Sequence, residues 1–95
     1  MEGARMEIEH DAARSRYLGR LDDEVVTSLD YSDNGGVVAM TRTFTNPPHR
    51  GHGYAGEITA HAVAEAEAAG KRVRPMCWYV AQWFDEHPEK AALLA

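Results

Sequence analysis

The chain has 95 residues, a formal net charge of −5 and a hydrophobic share of 44%. This size predicts one domain spanning residues 1–95, and the apolar share excludes a disordered chain. Nucleic acid is a poor partner for an acidic chain, because binding a polyanion needs a basic face. The single cysteine excludes an internal disulfide bond. We find no apolar run of membrane-spanning or secretory type, so we expect a cytoplasmic protein that binds no membrane.

The first half of the chain has the patterns of antiparallel strands. Apolar and polar residues alternate with a period of two, which predicts half-buried strands. The predicted strands are residues 6–9, 15–21, 25–31 and 37–45. Asp22 and Asp23 predict a tight turn, and Asn34-Gly35 is the strongest hairpin signal in the chain. Pro47 and Pro48 end the fourth strand, because proline cannot donate to a ladder.

The second half predicts two helices around a short strand. Residues 54–69 repeat apolar side chains with a period of 3.6, and the expected buried stripe is Ala55, Ile58, Ala62, Val63, Ala66 and Ala69. Residues 72–76 form a strand and residues 77–86 a second helix, with a short last helix beginning at Pro88. The order is β-β-β-β-α-β-α. A strand–helix–strand step favours a parallel neighbour, so we expect an α/β (α+β) fold with a mixed, mostly antiparallel sheet.

The junction between the fourth strand and the first helix carries the most informative motif, Arg50-Gly51-His52-Gly53-Tyr54-Ala55. Two glycines allow a sharp turn and a close approach of a ligand to the backbone. No Ser, Thr, Asp or Asn stands in this run to cap the helix, so its first N–H groups are left for an external anion. The run is not a P-loop, which needs a Lys followed by Ser or Thr after the second glycine. It is not a dinucleotide fingerprint either, since that needs three glycines at fixed spacing and an acidic residue on a later strand.

The pattern Arg50-x-x-Gly53-x-Ala55 resembles the pyrophosphate-binding signature of the GNAT superfamily of acetyl-coenzyme A-dependent N-acetyltransferases. Further elements resemble its short, stand-alone GNAT-like N-acetyltransferases, from about His10 to the C-terminus. These elements are His10-x-x-x-Arg14-x-Arg16-Tyr17, Asp30-Tyr31, Thr41-x-Thr43, Pro75-x-Cys77-x-x-Val80 and His87-Pro88-Glu89. The resemblance implies a minimal GNAT-like fold that lacks the two N-terminal helices.

The resemblance also implies a cosubstrate, acetyl-coenzyme A, and an acceptor, an amine of unknown identity. It places the pyrophosphate on the backbone of Arg50, Gly51, His52, Gly53, Tyr54 and Ala55. It places the pantetheine arm along the backbone of Thr43, Phe44 and Thr45, like an added strand. The expected activity is direct transfer of the acetyl group to the amine by a monomer or a weak homodimer.

Three positions depart from the family pattern. Arg42 and Phe44 stand where the family usually has His and Glu, and Trp83 stands near a usual Tyr. Since Trp83 cannot return a proton to a leaving thiolate, cofactor binding is better supported than catalysis. Two alternatives therefore stay open, a coenzyme A-binding module without catalysis and a small interaction domain.

Cys77 is a weak candidate for a catalytic residue. A thiol at a helix N-terminus can be nucleophilic, with His10, His52 or His87 as a base. The favoured interpretation is a small buried residue beside the pantetheine arm, because free cysteines are among the most buried residues.

The remaining candidates are aromatic and metal-binding side chains. Four aromatic residues crowd into seven positions, namely Trp78, Tyr79, Trp83 and Phe84. We expect at least two of them in the core, and any that is exposed marks a substrate groove or a dimer contact. His49-x-x-His52 is too short and too isolated to predict a metal site.

Overall fold

The computed structural model describes residues 5–95 as a five-stranded sheet in the order β1-β2-β3-β4-β5 with two α-helices. The elements are β1 (Glu7–Asp11), β2 (Arg16–Leu21), β3 (Glu24–Asn34), β4 (Val37–Thr45), α1 (Tyr54–Ala68), β5 (Arg72–Pro75) and α2 (Trp78–Asp85). Three 3₁₀ turns connect or follow them, at Ala12–Arg14, Pro47–His49 and Pro88–Leu93. The predicted fold class and element order are confirmed, and β4 has the predicted bounds.

Antiparallel pairing joins the first four strands, and one parallel pairing joins β4 to β5. The β3–β4 hairpin turns at the predicted place, where Gly35 and Gly36 have positive φ values of 63° and 89°. The outer edge of β5 is covered by the end of the chain, because Leu94 bridges Val73 and the Ala95 N–H donates to the Val73 carbonyl at 2.9 Å. This contact protects an edge strand that could otherwise pair with another chain.

Both helices pack on one face of the sheet. The predicted stripe of α1 is confirmed for Ile58, Ala62, Val63 and Ala66, which are at most 5% exposed. These side chains form one cluster with buried residues of the sheet and with those of α2. At roughly 1.5–3 kcal/mol for each fully buried aliphatic side chain, this contact is the main source of stability for α1.

The second helix divides its aromatic residues between the core and the surface. Trp83 and Phe84 are buried, as expected for at least two of the four, whereas Trp78 is 75% exposed. The Trp83 ring stacks on the His87 ring with centroids 3.9 Å apart, and the His87 Nδ1 atom is 2.7 Å from the Trp83 carbonyl oxygen. This pair closes the C-terminal end of α2.

The opposite face of the sheet carries no helix within residues 5–95. Its charged side chains pair across neighbouring strands, for example Arg20 with Glu9 at 3.1 Å and Arg16 with Asp11 at 3.7 Å. In the same part of the chain, no helix is both long and apolar enough to cross a bilayer. The sheet is therefore one layer of a two-layer arrangement, with an open side.

Candidate functional site

A groove of about 550 Å³ lies where β4 and β5 separate. Parallel pairing stops at Met40 and Pro75, so within residues 5–95 the rest of β4 has no strand partner on that side. The carbonyl oxygen of Met40 accepts hydrogen bonds from both Met76 and Cys77, each at 3.0 Å, as the chain leaves β5. The residues that line the groove come from β4, the glycine-rich loop and α2, and they are Thr43, Thr45, His49, Arg50, Gly51, Gly53, Tyr54, Ala55, Trp78 and Tyr79.

The open edge of β4 presents the backbone of Thr43 and Thr45 to the groove. The Phe44 carbonyl points the other way and accepts a hydrogen bond from the Thr27 hydroxyl of β3 at 2.9 Å. The Thr45 carbonyl accepts one from Arg50 Nε at 3.3 Å. Because successive residues of a strand direct their backbone groups to alternate edges, Thr43 and Thr45 share the groove side. This edge can therefore accept an extended ligand arm as an added strand.

A bulge decides which residues face the groove. Arg42 pairs with Asp30 and Met40 with Tyr31, so β4 carries one residue, Thr41, that β3 does not match. A residue inserted in this way reverses the alternation of the residues that follow. Without it, the backbone of Phe44 would face the groove in place of its neighbours.

Phe44 and Arg42 lie on the open face of the sheet, away from the groove. The guanidinium carbon of Arg42 is 5.5 Å from the centroid of the Phe44 ring, and Phe44 is 40% exposed. The side chain of Phe44 therefore does not line the groove, although its neighbours on both sides do. The two departures from the family pattern on this strand point away from the place where a cofactor arm would lie.

The N-terminus of α1 forms one end of the groove. Gly53 is the N-cap residue with φ 81° and ψ 10°, and no side chain within residues 5–95 caps the helix there. The first backbone hydrogen bond of α1 is donated by Glu57 to Gly53 at 3.0 Å, so the N–H groups of Tyr54, Ala55 and Gly56 precede it. These N–H groups and the positive end of the helix dipole form a site suited to phosphate.

The loop before α1 leaves room beside its glycines. A Cβ atom built on Gly51 or Gly53 would meet nothing within 4 Å, and both residues have φ values above 80°. The Arg50 N–H is already used, since it donates to the Pro47 carbonyl at 3.2 Å. Binding of the pyrophosphate by this amide stays a prediction, and the Arg50 guanidinium is the second group that this residue could contribute.

His52 does not line the groove. Its ring lies beside that of Tyr54, with centroids 5.7 Å apart, and its side chain is exposed. The histidine that lines the groove is His49, which is 3.1 Å from the Glu24 carboxylate. Within residues 5–95, no group of three or more His, Cys, Asp or Glu side chains is arranged to hold a metal ion.

Cys77 lies at the inner end of the groove as the N-cap residue of α2. Its Sγ atom is 3.6 Å from the Thr43 hydroxyl. Burial raises the pKa of the Cys77 thiol, but the Thr43 hydroxyl and the nearby backbone N–H groups of Val80, Tyr79 and Thr43 outweigh it, so that the pKa is lowered. The thiol is thus half-buried, and its pKa is lower than that of a free cysteine.

None of the three candidate imidazoles is hydrogen-bonded to this thiol. His10 stacks on Tyr17 at 4.2 Å and is hydrogen-bonded to the Tyr31 hydroxyl at 2.6 Å, on the flank of α1 that faces β1. His87 is engaged with Trp83, and His52 lies beside Tyr54. The structure brings Cys77 together with Thr43, and a Cys–His pair is not assembled.

Tyr79 is a site residue that the sequence analysis missed. It lies one helical turn before Trp83 on α2, and it lines the groove. A Cβ atom built on Gly56 would be 3.4 Å from the Tyr79 hydroxyl, which places this hydroxyl beside the first turn of α1. Burial, with a smaller contribution from Glu86, raises the pKa of Tyr79, so the phenol is a hydrogen-bond donor at neutral pH. The sequence offered one signal for this residue: Tyr79 precedes Trp83, the position near the family's usual Tyr, by four residues, so the two lie on the same face of α2.

Comparison with protein-family models gives a match that covers most of the chain. The model of a family described as GCN5-related N-acetyl-transferase matches residues 16–93, which is most of the chain. No curated protein matches the sequence. The matched range contains every residue that lines the groove.

Proposed function

The chain belongs to the GCN5-related N-acetyltransferase family, and we propose that it is an acetyl-coenzyme A-dependent N-acetyltransferase that transfers the acetyl group directly to an amine. The observation that carries the proposal is the groove, which joins an open strand edge to an uncapped helix N-terminus. Coenzyme A has an extended amide-containing arm and a pyrophosphate. The arm matches the open strand edge, and the pyrophosphate matches the uncapped helix N-terminus. The cytoplasmic location expected from the sequence is part of the proposal.

The pyrophosphate would bind at the N-terminus of α1. The N–H groups of Tyr54, Ala55 and Gly56 would donate to its oxygens, and the open space beside Gly51 and Gly53 would let the phosphates approach the backbone. The Arg50 guanidinium, held by the Thr45 carbonyl, would add positive charge at the edge of the groove.

The pantetheine arm would pair with the open edge of β4. The backbone groups of Thr43 and Thr45 offer the alternation that an added strand needs. The Tyr79 hydroxyl lies beside the first turn of α1, so we assign it to hydrogen bonding with the cosubstrate near its phosphates. The acetyl group would then lie at the inner end of the groove, near Cys77.

The reaction proposed is a direct displacement. The amine nitrogen attacks the thioester carbonyl carbon, the new C–N bond forms, and the C–S bond breaks. The amine loses a proton to water, and the thiolate of coenzyme A takes one from water. Alignment of the two reactants supplies much of the rate gain in such a step, so a strong acid or base is not indispensable.

A competing proposal is a coenzyme A-binding module without catalysis. It is favoured by the burial of Trp83 and by the orientation of Arg42 and Phe44 toward the opposite face. Calorimetric titration with coenzyme A tests the groove, and release of free coenzyme A from acetyl-coenzyme A with a panel of amines tests the transfer. Binding without amine-dependent release would favour the module, and no binding would overturn both proposals.

The role of Cys77 is tested separately. For direct transfer, Cys77→Ala keeps the rate within a modest factor, because the thiol only packs beside the arm. For a covalent pathway, the same variant loses turnover, and mass spectrometry of the wild-type protein with acetyl-coenzyme A alone detects an acetyl group on Cys77. We expect retained turnover and no acetylated cysteine, since no imidazole is hydrogen-bonded to the thiol.

A further inference from the structure

His49 is a histidine of the groove whose ring is held by a carboxylate. Its Nε2 atom is 3.1 Å from a carboxylate oxygen of Glu24, the first residue of β3. Because an ionised carboxylate can only accept, Nε2 carries a hydrogen in this contact. The other ring nitrogen, Nδ1, has no hydrogen-bond partner within residues 5–95. The imidazole is therefore held at one nitrogen and free for a ligand at the other.

The backbone around His49 is fixed against the start of β3. The 3₁₀ turn Pro47–His49 contains two prolines, which restrict its backbone. The His49 N–H donates to the Asn46 carbonyl at 2.8 Å, and the Asn46 side-chain amide donates to the Val25 carbonyl at 2.8 Å. The imidazole side chain is only 22% exposed. Its place relative to Glu24 is therefore set by the fold as well as by their contact.

His49 lies beside the proposed phosphate site. Its ring centroid is 6.3 Å from that of Tyr54, the first residue of α1, and both residues line the groove together with Arg50. A neutral imidazole that donates through Nε2 can offer only a lone pair at Nδ1, and a lone pair repels a phosphate oxygen. Once Nδ1 takes up a proton, the imidazolium donates a charge-assisted hydrogen bond instead.

We propose that His49 is a phosphate ligand that takes up a proton from solvent when coenzyme A binds, and that Glu24 is its positioning residue. The inference rests on the proposed function, because it adds a pH dependence to the affinity of the same groove. The Glu24 carboxylate holds the Nε2–H group and offsets the positive charge that the ring acquires. Histidine suits this role, because its ordinary pKa lies near neutrality.

Groups of both signs lie on the segments next to His49. Carboxylates favour its proton and the Arg50 guanidinium disfavours it, so their effects oppose each other in the free protein. A bound pyrophosphate adds negative charge, and uptake of a proton follows from this change. The other charged and titratable groups of these segments are Asp22, Asp23 and Glu24 before and at the start of β3, His52 of the loop, and Tyr54 and Glu57 of α1.

The first experiment counts protons. The wild-type protein is titrated calorimetrically at pH 7 with dephospho-coenzyme A, in which only the pyrophosphate is anionic. The titration is repeated in a buffer of different ionisation enthalpy, and the difference between the two binding enthalpies gives the protons taken up per ligand. We expect roughly half a proton or more, because a histidine of ordinary pKa is mostly neutral at pH 7 and would be charged in the complex. Binding without proton uptake would overturn the inference and keep the cofactor groove.

The second experiment measures the pH dependence of the same affinity. The Kd of the wild type should rise about tenfold between pH 6 and pH 8.5, as the hydrogen bond from the imidazolium is lost. His49→Gln keeps a neutral donor, so its Kd should vary little with pH and approach the wild-type value at high pH. Glu24→Gln keeps the shape of the side chain and removes its charge, so its Kd should begin to rise at a lower pH. A role of Glu24 in folding alone would leave that pH unmoved.

His61→Gln is the matched control. His61 belongs to a similar imidazole–carboxylate pair, with Nε2 2.8 Å from the Glu65 carboxylate, but it does not line the groove. This variant should keep the wild-type proton uptake and pH profile.

Three results would contradict the inference in different ways. Wild-type proton uptake in His49→Gln would assign the proton to another group, and a wild-type pH profile in Glu24→Gln would remove the positioning role. Absence of binding to dephospho-coenzyme A would show that the pyrophosphate alone is not held, and the inference would fail. The same titration with coenzyme A then decides whether the proposed function fails with it.

Discussion

Replacement of Gly53 by alanine separates a backbone effect on folding from an effect on ligand binding. Gly53 caps α1 with φ 81°, a left-handed conformation that costs an L-residue roughly 1–2 kcal/mol. For a domain of this size, each 1 kcal/mol lowers Tm by about 4–8 °C. The folded variant should survive, because a Cβ atom at this position meets nothing within 4 Å.

The same Cβ atom would lie on the wall of the groove, where a phosphate would approach the backbone. Loss of one hydrogen bond to a charged oxygen is worth about 1.5–3 kcal/mol, which corresponds to a roughly ten- to hundredfold weaker Kd for coenzyme A. We therefore expect Gly53→Ala to lower both Tm and affinity.

Gly36→Ala is the matched control. Gly36 has φ 89° and equally open space, but it lies in the turn between β3 and β4, and this turn does not line the groove. Differential scanning calorimetry should give similar losses of Tm for the two variants, whereas calorimetric titration should give a normal Kd for Gly36→Ala alone. Normal coenzyme A affinity in a folded Gly53→Ala protein would refute the assignment of this loop to phosphate.

Three further variants test individual side chains of the groove. Arg50→Ala should weaken the binding of coenzyme A by about 1 kcal/mol, or roughly fivefold, because an exposed cation acts on the phosphates. The affinity for phosphate-free pantetheine should stay unchanged, and equal losses of affinity for the two ligands in calorimetric titration would contradict this role. Thr43→Val removes a group that lowers the pKa of Cys77, so the pH midpoint of iodoacetamide modification should move upward, and an unmoved midpoint would show that the hydroxyl has no such role. Tyr79→Phe should weaken the binding of coenzyme A by the loss of one hydrogen bond, whereas a normal Kd in this variant would remove the Tyr79 hydroxyl from the site.

Local signals in the sequence predicted the elements well. The hairpin at Asn34-Gly35 and the break at Pro47 set both ends of β4, and the structure has the same bounds. The apolar period of α1 predicted its buried stripe, because one helix face must contact the sheet. These features depend on neighbours along the chain, so they can be inferred without knowing what packs against them.

The orientation of β4 could not be predicted in this way. The bulge at Thr41 arises from pairing with β3, and no glycine or proline marks it in the sequence. It directs the backbone of Thr43 and Thr45 toward the groove and the side chain of Phe44 toward the open face. The resemblance assigned Thr43, Phe44 and Thr45 together to the pantetheine arm. Only the pairing of β4 with β3 shows that the backbone of the two threonines faces the groove and that of Phe44 does not.

The groove itself depends on how the parallel pairing of β4 and β5 ends. Pro75 is the last paired residue of β5, and it has no N–H to donate to the ladder. The next two N–H groups, of Met76 and Cys77, both reach the Met40 carbonyl, which turns the chain away from β4 and into α2. One edge of β4 is thereby left without a partner, in a protein that protects the outer edge of β5 with its own C-terminus. An unpaired strand edge exposes backbone donors and acceptors, which an extended, amide-bearing arm can satisfy. The uncapped helix N-terminus beside it favours an anion. Together they are the physical reason to expect a ligand that has such an arm and an anionic end.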